Sequence, residues 1–269
     1  MKKELAIVFL TFNSQNIIKK TISSAKKLSN NIIILDSYSK DKTLQIAKKL
    51  GCKVIKKKFF NYSKSRNYVI NKLNKEYKWQ LHLDADEYLN DKSISSIKEV
   101  LKKNKSNYSY IIKRIDYFLG QKLRFAGTNS WHLRLFRSYS TYCEHRSYDQ
   151  HFISKHKTLK LDGNIHDLNS VSIDRWLLQH IKWAKLEKNK NKSNKVLQGH
   201  LFKDPRNQKR FFKNFYYILP FFWRCWLYFI YRYVIKLGFL DGRIGFLYCF
   251  YQSLFFRILI DNLIITKNK

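Results

Sequence analysis

Proline, glycine and cysteine are scarce in this chain, and each shortage excludes a class of architecture. With 2 Pro and 8 Gly among 269 residues, the chain is neither collagen-like nor a low-complexity polymer. Its 4 cysteines, at positions 52, 143, 225 and 249, are far apart and form no CxxC pair. This spacing argues against a zinc knuckle and against a disulfide scaffold, so we expect a protein of a reducing compartment.

Acidic residues are also scarce. The chain has 19 Asp and Glu against 53 Lys and Arg, which gives a formal net charge of +34 at pH 7. Such a charge favours a polyanionic partner, namely a nucleic acid, an anionic membrane surface or a phosphorylated substrate. Lys, Asn and Ile are abundant together, as an AT-rich coding sequence also produces, so composition alone is the alternative explanation. The 45% of hydrophobic residues exclude a wholly disordered chain.

Apolar runs alternate with helical spacing through the first half of the chain. The runs at residues 5–10, 32–35, 54–55 and 79–83 predict four strands, with helices between them. Continuous apolar strands separated by helices are typical of a parallel sheet that is covered on both faces. The sequence therefore predicts an α/β fold, in which ligands bind at the carboxyl ends of the strands.

Acidic residues follow two of these predicted strands. Asp84 and Asp86 come after the fourth strand, and in an extended chain they face the same way, about 7 Å apart. A pair of carboxylates at this place suits a hard divalent cation that is shared with phosphate oxygens, and a solvated acidic turn is the alternative. Asp36 follows the second strand, where it can bind a pyrimidine or a ribose hydroxyl, or simply stabilise a strand-to-helix turn.

The last third of the chain changes in composition. Residues 188–213 hold 9 Lys and Arg against one acid and predict a basic linker. Residues 214–269 are rich in aromatics, and basic residues interrupt their apolar runs before these reach the roughly 18 residues of a charge-free span. We expect this tail to lie in a membrane interface, with the linker attracted to an anionic leaflet. A pair of core helices is the alternative.

Short motifs occur in a set order along nearly the whole chain. They are TFN (11–13), DSYSKDKT (36–43), YSKSRN (62–67), LDADE (83–87), YFLG (117–120), LRLFR (133–137), YDQHF (148–152), LDGNIH (161–166) and FLDGRIGF (239–246). This succession resembles the inverting family 2 glycosyltransferases with a GT-A fold. Within that family it is similar to the branch of lipopolysaccharide-core glucosyltransferases and related envelope enzymes.

The resemblance implies a domain plan and a set of binding residues. The plan is a GT-A domain over 1–187, with a mostly parallel nucleotide-binding sheet flanked by helices, to which the composition described above adds the linker 188–213 and a membrane-associated helical tail over 214–269. The implied contacts of the nucleotide sugar are Thr11, Asn13, Asp36, Arg66 and Asp84. The implied ligands of a divalent cation, Mg²⁺ or Mn²⁺, are Asp86 and His166. The chain departs from the family at Ser14 and Gln15, where members usually carry an acidic pair.

An inverting transferase also needs a general base that takes the proton from the acceptor hydroxyl. The family places an acid roughly sixty residues after its DxD motif, which corresponds to Asp84 and Asp86 in this chain. Asp149 fits this position best and Glu144 is second, while His151, in the same segment as Asp149, is an alternative base at neutral pH.

The motifs together imply a function. We expect a glycosyltransferase that moves a sugar from a nucleoside diphosphate donor, with UDP favoured, to a lipid-linked envelope glycan such as the lipopolysaccharide core. We expect it in the cytoplasm, peripherally bound to the anionic surface of the inner membrane, with no nucleic-acid partner. The main alternative is a non-catalytic, basic nucleic-acid-binding protein, but the aromatics concentrate in the tail instead of alternating with basic residues on a strand platform. A nucleotidyltransferase would be expected to have a glycine-rich phosphate loop near its start, whereas the first glycine is Gly51.

Overall fold

The structure is a computed structural model that describes residues 2–104, 107–145, 150–168, 172–188 and 205–266. The chain divides into two compact units. The first unit comprises Met1–Arg114 and Ser130–Leu168, and the second comprises Ile115–Asn129 and Asn169–Lys269.

Most of the described strands lie in the first unit. In the described part of the chain they are β1 (Lys3–Thr11), β2 (Ile32–Asp36), β3 (Lys53–Lys56), β4 (Tyr77–Asp84), β5 (Glu87–Leu89), β6 (Tyr108–Phe118), β7 (Gln121–Lys122), β8 (Trp131–Arg137), β9 (Thr141–Cys143), β10 (Phe152–Ser154) and β11 (Lys157–Asp167). The four predicted strands lie within β1, β2, β3 and β4, so this prediction is confirmed.

The described strands form one large sheet and one small one. The large sheet has the order β3-β2-β1-β4-β8-β6-β11-β5, with β7 paired to β6, and β9 and β10 form the small sheet. The first four strands in this order are parallel. Beyond β4 the sheet becomes antiparallel, because β8 runs against both β4 and β6, and β5 runs against β11. The α/β class is confirmed, with parallel pairing from β3 to β4 and antiparallel pairing between β8 and its two neighbours.

Helices of the first unit are α1 (Ile18–Lys26), α2 (Thr43–Lys49), α3 (Tyr62–Leu73) and α4 (Asp91–Lys103). Alternate residues of the parallel strands point to opposite faces of the sheet, and both sets are buried. On one face, Ile7 belongs to a core cluster that includes Ile22 of α1. On the other face, Val8 belongs to a separate cluster that includes Val69 of α3. This two-sided burial explains why the strands read as unbroken apolar runs.

Caps fix where two of these helices begin. The Asn61 side chain accepts a hydrogen bond from the Lys64 backbone N–H at 2.7 Å, and Asn90 does the same for Ser93 at 2.9 Å. A cap of this kind contributes about 1 kcal/mol and defines the first turn of the helix. The start of α3 matters for the site below, because α3 carries Arg66.

The second unit is helical in its C-terminal part. Its helices are α5 (Ile173–Lys188), α6 (Pro205–Ile218), α7 (Trp223–Ile230), a π-helix (Tyr231–Ile235), a 3₁₀ helix (Gly238–Asp241), α8 (Gly242–Cys249), a second π-helix (Phe250–Phe255) and α9 (Phe256–Ile265). The helical stretch Gly238–Ile265 is long and apolar enough to cross a membrane, although 44% of its most apolar window is buried inside the protein. The predicted linker 188–213 falls mainly on residues 189–204, outside the described residues, and the predicted domain boundaries stay predictions.

Candidate active site

The parallel strands bring three predicted site residues to one edge of the sheet. Thr11 pairs with Asp36 across β1 and β2, and Leu10 pairs with Asp84 across β1 and β4. Because parallel strands end at the same edge, polar side chains at their carboxyl ends become neighbours. The site is therefore assembled at the end of three adjacent strands.

Asp36 lies at the centre of the first part of this edge. It is fully buried, and its Oδ1 accepts hydrogen bonds from Thr11 Oγ1 at 2.9 Å and from Ser39 Oγ at 2.6 Å, while Oδ2 accepts from the Ser39 N–H at 2.8 Å. Asn13 Oδ1 accepts from the Lys40 N–H at 2.9 Å. A carboxylate has about four acceptor sites, so Asp36 uses most of its capacity to join the loops after β1 and β2.

The residues that depart from the family pattern continue this connection between the two loops. The Ser14 N–H donates to Thr43 Oγ1 at 2.7 Å, and the Gln15 N–H donates to Asp41 Oδ2 at 3.0 Å. In return, the Lys42 N–H donates to Gln15 Oε1 at 3.0 Å. The backbone N–H groups of Ser14 and Gln15 and the neutral Gln15 side chain thus hold the second loop against the first without an acidic pair.

Asp84 lies between two arginines. Arg66, on α3, contacts Asp84 Oδ1, and Arg134, on β8, contacts Asp84 Oδ2 at 3.0 Å and Glu87 Oε1 at 2.5 Å. Arg66, Arg134 and Glu87 are all buried. Burial alone would raise the pKa of Asp84, but the guanidinium groups of Arg134 and Arg66 hold this pKa below its usual range. Asp84 is therefore ionised and fixed in orientation.

Asp86 has the opposite electrostatic environment. Burial raises its pKa well above the usual value, and the negative charges of Asp167, Asp84 and Glu87 raise it further. The backbone oxygen of Asp86 accepts a hydrogen bond from the Leu168 N–H at 3.0 Å, which ties the end of β11 to this turn. The turn after β4 thus has an excess of negative charge that a cation would offset.

The chemistry of these side chains fits a divalent cation. Carboxylate oxygens are the hard ligands that Mg²⁺ and Mn²⁺ prefer. Among the described residues, no three of His, Cys, Asp and Glu converge as a complete metal cage. One or two protein carboxylates are enough where phosphate oxygens and water fill the remaining positions, as in nucleotide sites.

His166, the other predicted metal ligand, packs against a ring. It is paired with Tyr88 in the β5–β11 register, and the two rings stack with centroids 4.8 Å apart. The next residue, Asp167, is paired with Glu87 and lies 3.3 Å from Arg114. Successive residues of a strand face opposite sides, so His166 and Asp167 point away from each other. The role of His166 as a metal ligand stays a prediction.

Glu144 is held near α3 through its neighbour in sequence. The Asn67 side chain donates to the Cys143 backbone oxygen at 2.8 Å and accepts from the Cys143 N–H at 2.7 Å. Glu144 Oε1 accepts from the His151 N–H at 2.8 Å. Since Asn67 directly follows Arg66, the candidate base and the Asp84 pair are anchored to the same helix.

The structure thus assembles most of the predicted site. It brings to one edge of the sheet Thr11, Asn13, Asp36, Arg66, Asp84 and Asp86. Asp149, the first choice for the base, lies outside the described residues, so the identity of the base stays a prediction. Sequence reasoning gave no role to Glu87 or Asp167, and it considered Arg134 as a residue of the sugar pocket or of a core strand, without its pairing to Asp84. The only local signal for Asp167 is an acid directly after His166, and the positions of the other two depend on which strands become neighbours.

Comparisons with known proteins identify the family of the chain. The sequence model of Glycosyl transferase family 2 matches residues 6–161, so the chain belongs to this family and is a glycosyltransferase. An uncharacterized glycosyltransferase of Rickettsia typhi is 27% identical over 251 residues, covering 91% of this chain and 81% of the relative. One of Rickettsia prowazekii is 27% identical over 242 residues, covering 87% and 79%. Among solved structures, S. aureus TarS 1-349 in complex with UDP is 12% identical, with a TM-score of 0.48 and coverage of 99% and 92%.

Proposed function

We propose that this protein transfers a hexose from a UDP-sugar to a lipid-linked glycan of the cell envelope, with inversion at the sugar carbon. The observation that carries the proposal is the pair Asp84 and Asp86 at the carboxyl end of β4, beside Thr11 and Asp36. The choice of UDP follows from the resemblance of the motifs, and the acceptor follows from the resemblance together with the surface of the second unit.

Each group at this edge has a task in such a transfer. A divalent cation held by Asp86 would neutralise the charge that develops on the departing diphosphate. Arg66 and Arg134 keep Asp84 ionised and in one orientation, so that it can contact the ribose or the diphosphate. Asp149 or Glu144 takes the proton from the acceptor hydroxyl while the acceptor oxygen bonds to C1 and the bond from C1 to the diphosphate oxygen breaks.

The polarity of α7 supports a membrane-bound acceptor. Its outer side exposes Trp223, Trp226 and Ile230 by 71%, 53% and 46%. Its buried side includes Arg224, which forms a bidentate pair with the buried Asp261. A helix in water normally turns its charged residues outwards and its apolar residues inwards. The reversed arrangement favours an apolar medium outside this helix, and large exposed apolar surfaces mark interaction sites.

Exposed basic residues lie after the π-helix that follows α7 and at the start of α8. Lys236 and Arg243 are exposed, and so are Ile235 and Leu237, by 67% and 42%. Long basic side chains beside apolar ones are typical of segments that place apolar groups in the bilayer interface and charges at the headgroups. Each such charge adds about 1 kcal/mol of attraction to an anionic surface. We therefore propose peripheral binding to the anionic, cytoplasmic face of the inner membrane.

Calorimetric titration tests the donor site. UDP, GDP, CDP and dTDP are titrated with and without Mn²⁺ into the wild-type protein, the Asp86→Asn variant and the Asp162→Asn variant, where Asp162 is an exposed acid on β11. We expect binding of UDP that depends on Mn²⁺ and that weakens about 10–100-fold in Asp86→Asn, because a carboxylate that orients or holds the metal is lost. Asp162→Asn should bind as the wild type does. Equal binding by both variants, or the absence of metal-dependent UDP binding by the wild type, would contradict the proposal.

A further inference from the structure

A cavity of about 350 Å³ lies beside α3, within the first unit and outside the carboxylate edge described above. Its walls are the segment between β3 and α3, the exposed side of the first turns of α3, and His145. The volume falls within the range of about 300–1,000 Å³ that is typical of small-molecule sites. The residues that line it are different from those placed at the carboxylate edge above.

The lining of the cavity carries charge of one sign. Lys57, Lys58 and Lys64 contribute to it, and no carboxylate stands among the described residues that line it. Asn67 and Asn71 add amide groups that can donate hydrogen bonds. Three ammonium groups around one concave surface attract an anion, and concave walls concentrate this attraction.

Aromatic rings hold two of the lysines in place. The Lys57 Nζ lies 3.9 Å from the centroid of the Tyr68 ring, and the Lys64 Nζ lies 3.7 Å from that of Phe60. The Lys57 backbone N–H also donates to the Asp36 backbone oxygen at 2.9 Å, which anchors the segment to the end of β2. A cation on a ring face gains about 0.5–1 kcal/mol at an exposed site, and its N–H groups can still donate to a ligand.

Exposed aromatic side chains lie in the same segment of the chain as the lysines. Phe59, Phe60 and Tyr62 are exposed by 44%, 71% and 44%. Phe59 and Tyr62 contact each other edge to face, with ring centroids 5.1 Å apart. Such rings give broad apolar faces beside a charged pocket, and exposed clusters of this kind mark binding surfaces. Together the rings and ammonium groups suit a ligand with a flat, partly apolar ring and an anionic substituent.

One wall of the cavity adjoins the segment that carries a candidate base. His145, which lines it, directly follows Glu144, one of the two candidate bases, and its Nδ1 is 3.3 Å from Ser63 Oγ. One turn further along α3, Arg66 contacts Asp84. A general base must reach the acceptor hydroxyl, so a pocket beside it is placed to hold the acceptor.

We propose that this cavity binds a phosphate group carried by a sugar of the acceptor glycan, with Lys57, Lys58 and Lys64 as its cationic contacts. The proposal rests on the transferase function proposed above and adds to it the chemical class of the acceptor. It predicts that acceptors with a phosphorylated sugar near the site of transfer bind better than neutral ones.

Binding of glucose 6-phosphate tests the cavity, with glucose as the neutral probe. Saturation-transfer NMR measures both probes, with and without saturating UDP and Mn²⁺, on the full-length protein. One variant carries Lys57→Gln, Lys58→Gln and Lys64→Gln. The control variant has the same loss of three charges on α2 and α4, through Lys48→Gln, Lys49→Gln and Lys98→Gln, all exposed lysines.

We expect the wild type to bind glucose 6-phosphate more tightly than glucose, and UDP with Mn²⁺ not to displace it. The cavity variant should bind the phosphate probe at least about tenfold more weakly, and the control variant within about twofold of the wild type. Equal losses in the two variants, equal binding of glucose, or displacement by UDP would overturn the proposal. UDP titrations of the same samples keep the two proposals apart, since failure of the donor site would abolish UDP binding in the wild type.

Discussion

Arg134 is the residue whose removal tests the electrostatic account of the site most directly. Its guanidinium is buried and contacts both Asp84 and Glu87, and Glu87 is only 1% exposed. Arg134→Met keeps most of the volume but removes the charge, which leaves Glu87 buried without its cation. Breaking a buried pair in this way costs about 3–5 kcal/mol. This is a large part of the 5–15 kcal/mol that stabilises a typical domain.

The cost should depend on pH in a direction that the structure fixes. Burial raises the pKa of Glu87, and the charge of Arg134 opposes this rise. In Arg134→Met, the pKa of Glu87 in the folded protein should therefore rise further. When the pKa of a carboxyl is higher in the folded than in the unfolded state, the folded state becomes less stable as the pH rises above the pKa of the unfolded state, which is about 4.3 for Glu. Arg134→Met should therefore be closest to the wild type in mild acid and fall behind as the pH approaches neutrality.

Hydrogen exchange of peptides from β4 and β8, followed by mass spectrometry, measures this stability within the first unit. At neutral pH, amides that exchange by unfolding should exchange about 10²–10⁴-fold faster in Arg134→Met, as 3–5 kcal/mol implies. Arg137→Met, at the half-exposed end of the same strand, is the control and should cost about 1 kcal/mol. Adding Glu87→Gln to Arg134→Met should recover most of the loss, because the amide oxygen can still accept from the Asp84 N–H. Equal effects of the two arginine variants, or no recovery by Glu87→Gln, would refute the reasoning.

Two further predictions concern the membrane surface and the packing of β11. Trp226→Glu combined with Ile230→Glu should weaken binding to vesicles that contain phosphatidylglycerol by at least about tenfold in a sedimentation assay, because two apolar side chains leave the interface. Leu178→Glu, an exposed leucine on α5, should change it little, and equal effects would argue against α7 as the contact. Gly163→Ala should destabilise the first unit by about 2–5 kcal/mol in urea unfolding, since the φ of +88° is strained for alanine and the new Cβ would lie 2.2 Å from the Ser93 backbone nitrogen. Gly120→Ala, also at positive φ but with open space, should cost only about 1–2 kcal/mol, and a similar cost at Gly163 would mean that α4 yields to the new methyl.

Much of the donor side could be predicted from local sequence. The apolar runs before Asp36 and Asp84 are continuous because both faces of the parallel strands are buried. Such runs can be recognised in the sequence without the structure. Parallel strands end at one edge, so carboxylates that follow them converge without further information. For the same reason, Asp84 and Asp86 could be predicted as site residues from the sequence, before the charged side chains around them were known.

Only the tertiary structure decided which charges surround those acids. Arg134 is 50 residues from Asp84 in the chain and reaches it because β8 pairs antiparallel with β4. Asp167 reaches the turn of Asp86 because β11 pairs with β5. The inward direction of Arg224 likewise depends on Asp261, 37 residues later in the chain. Local sequence determines which segments become strands and helices, whereas strand order, register and helix orientation depend on the free energy of the whole packed unit.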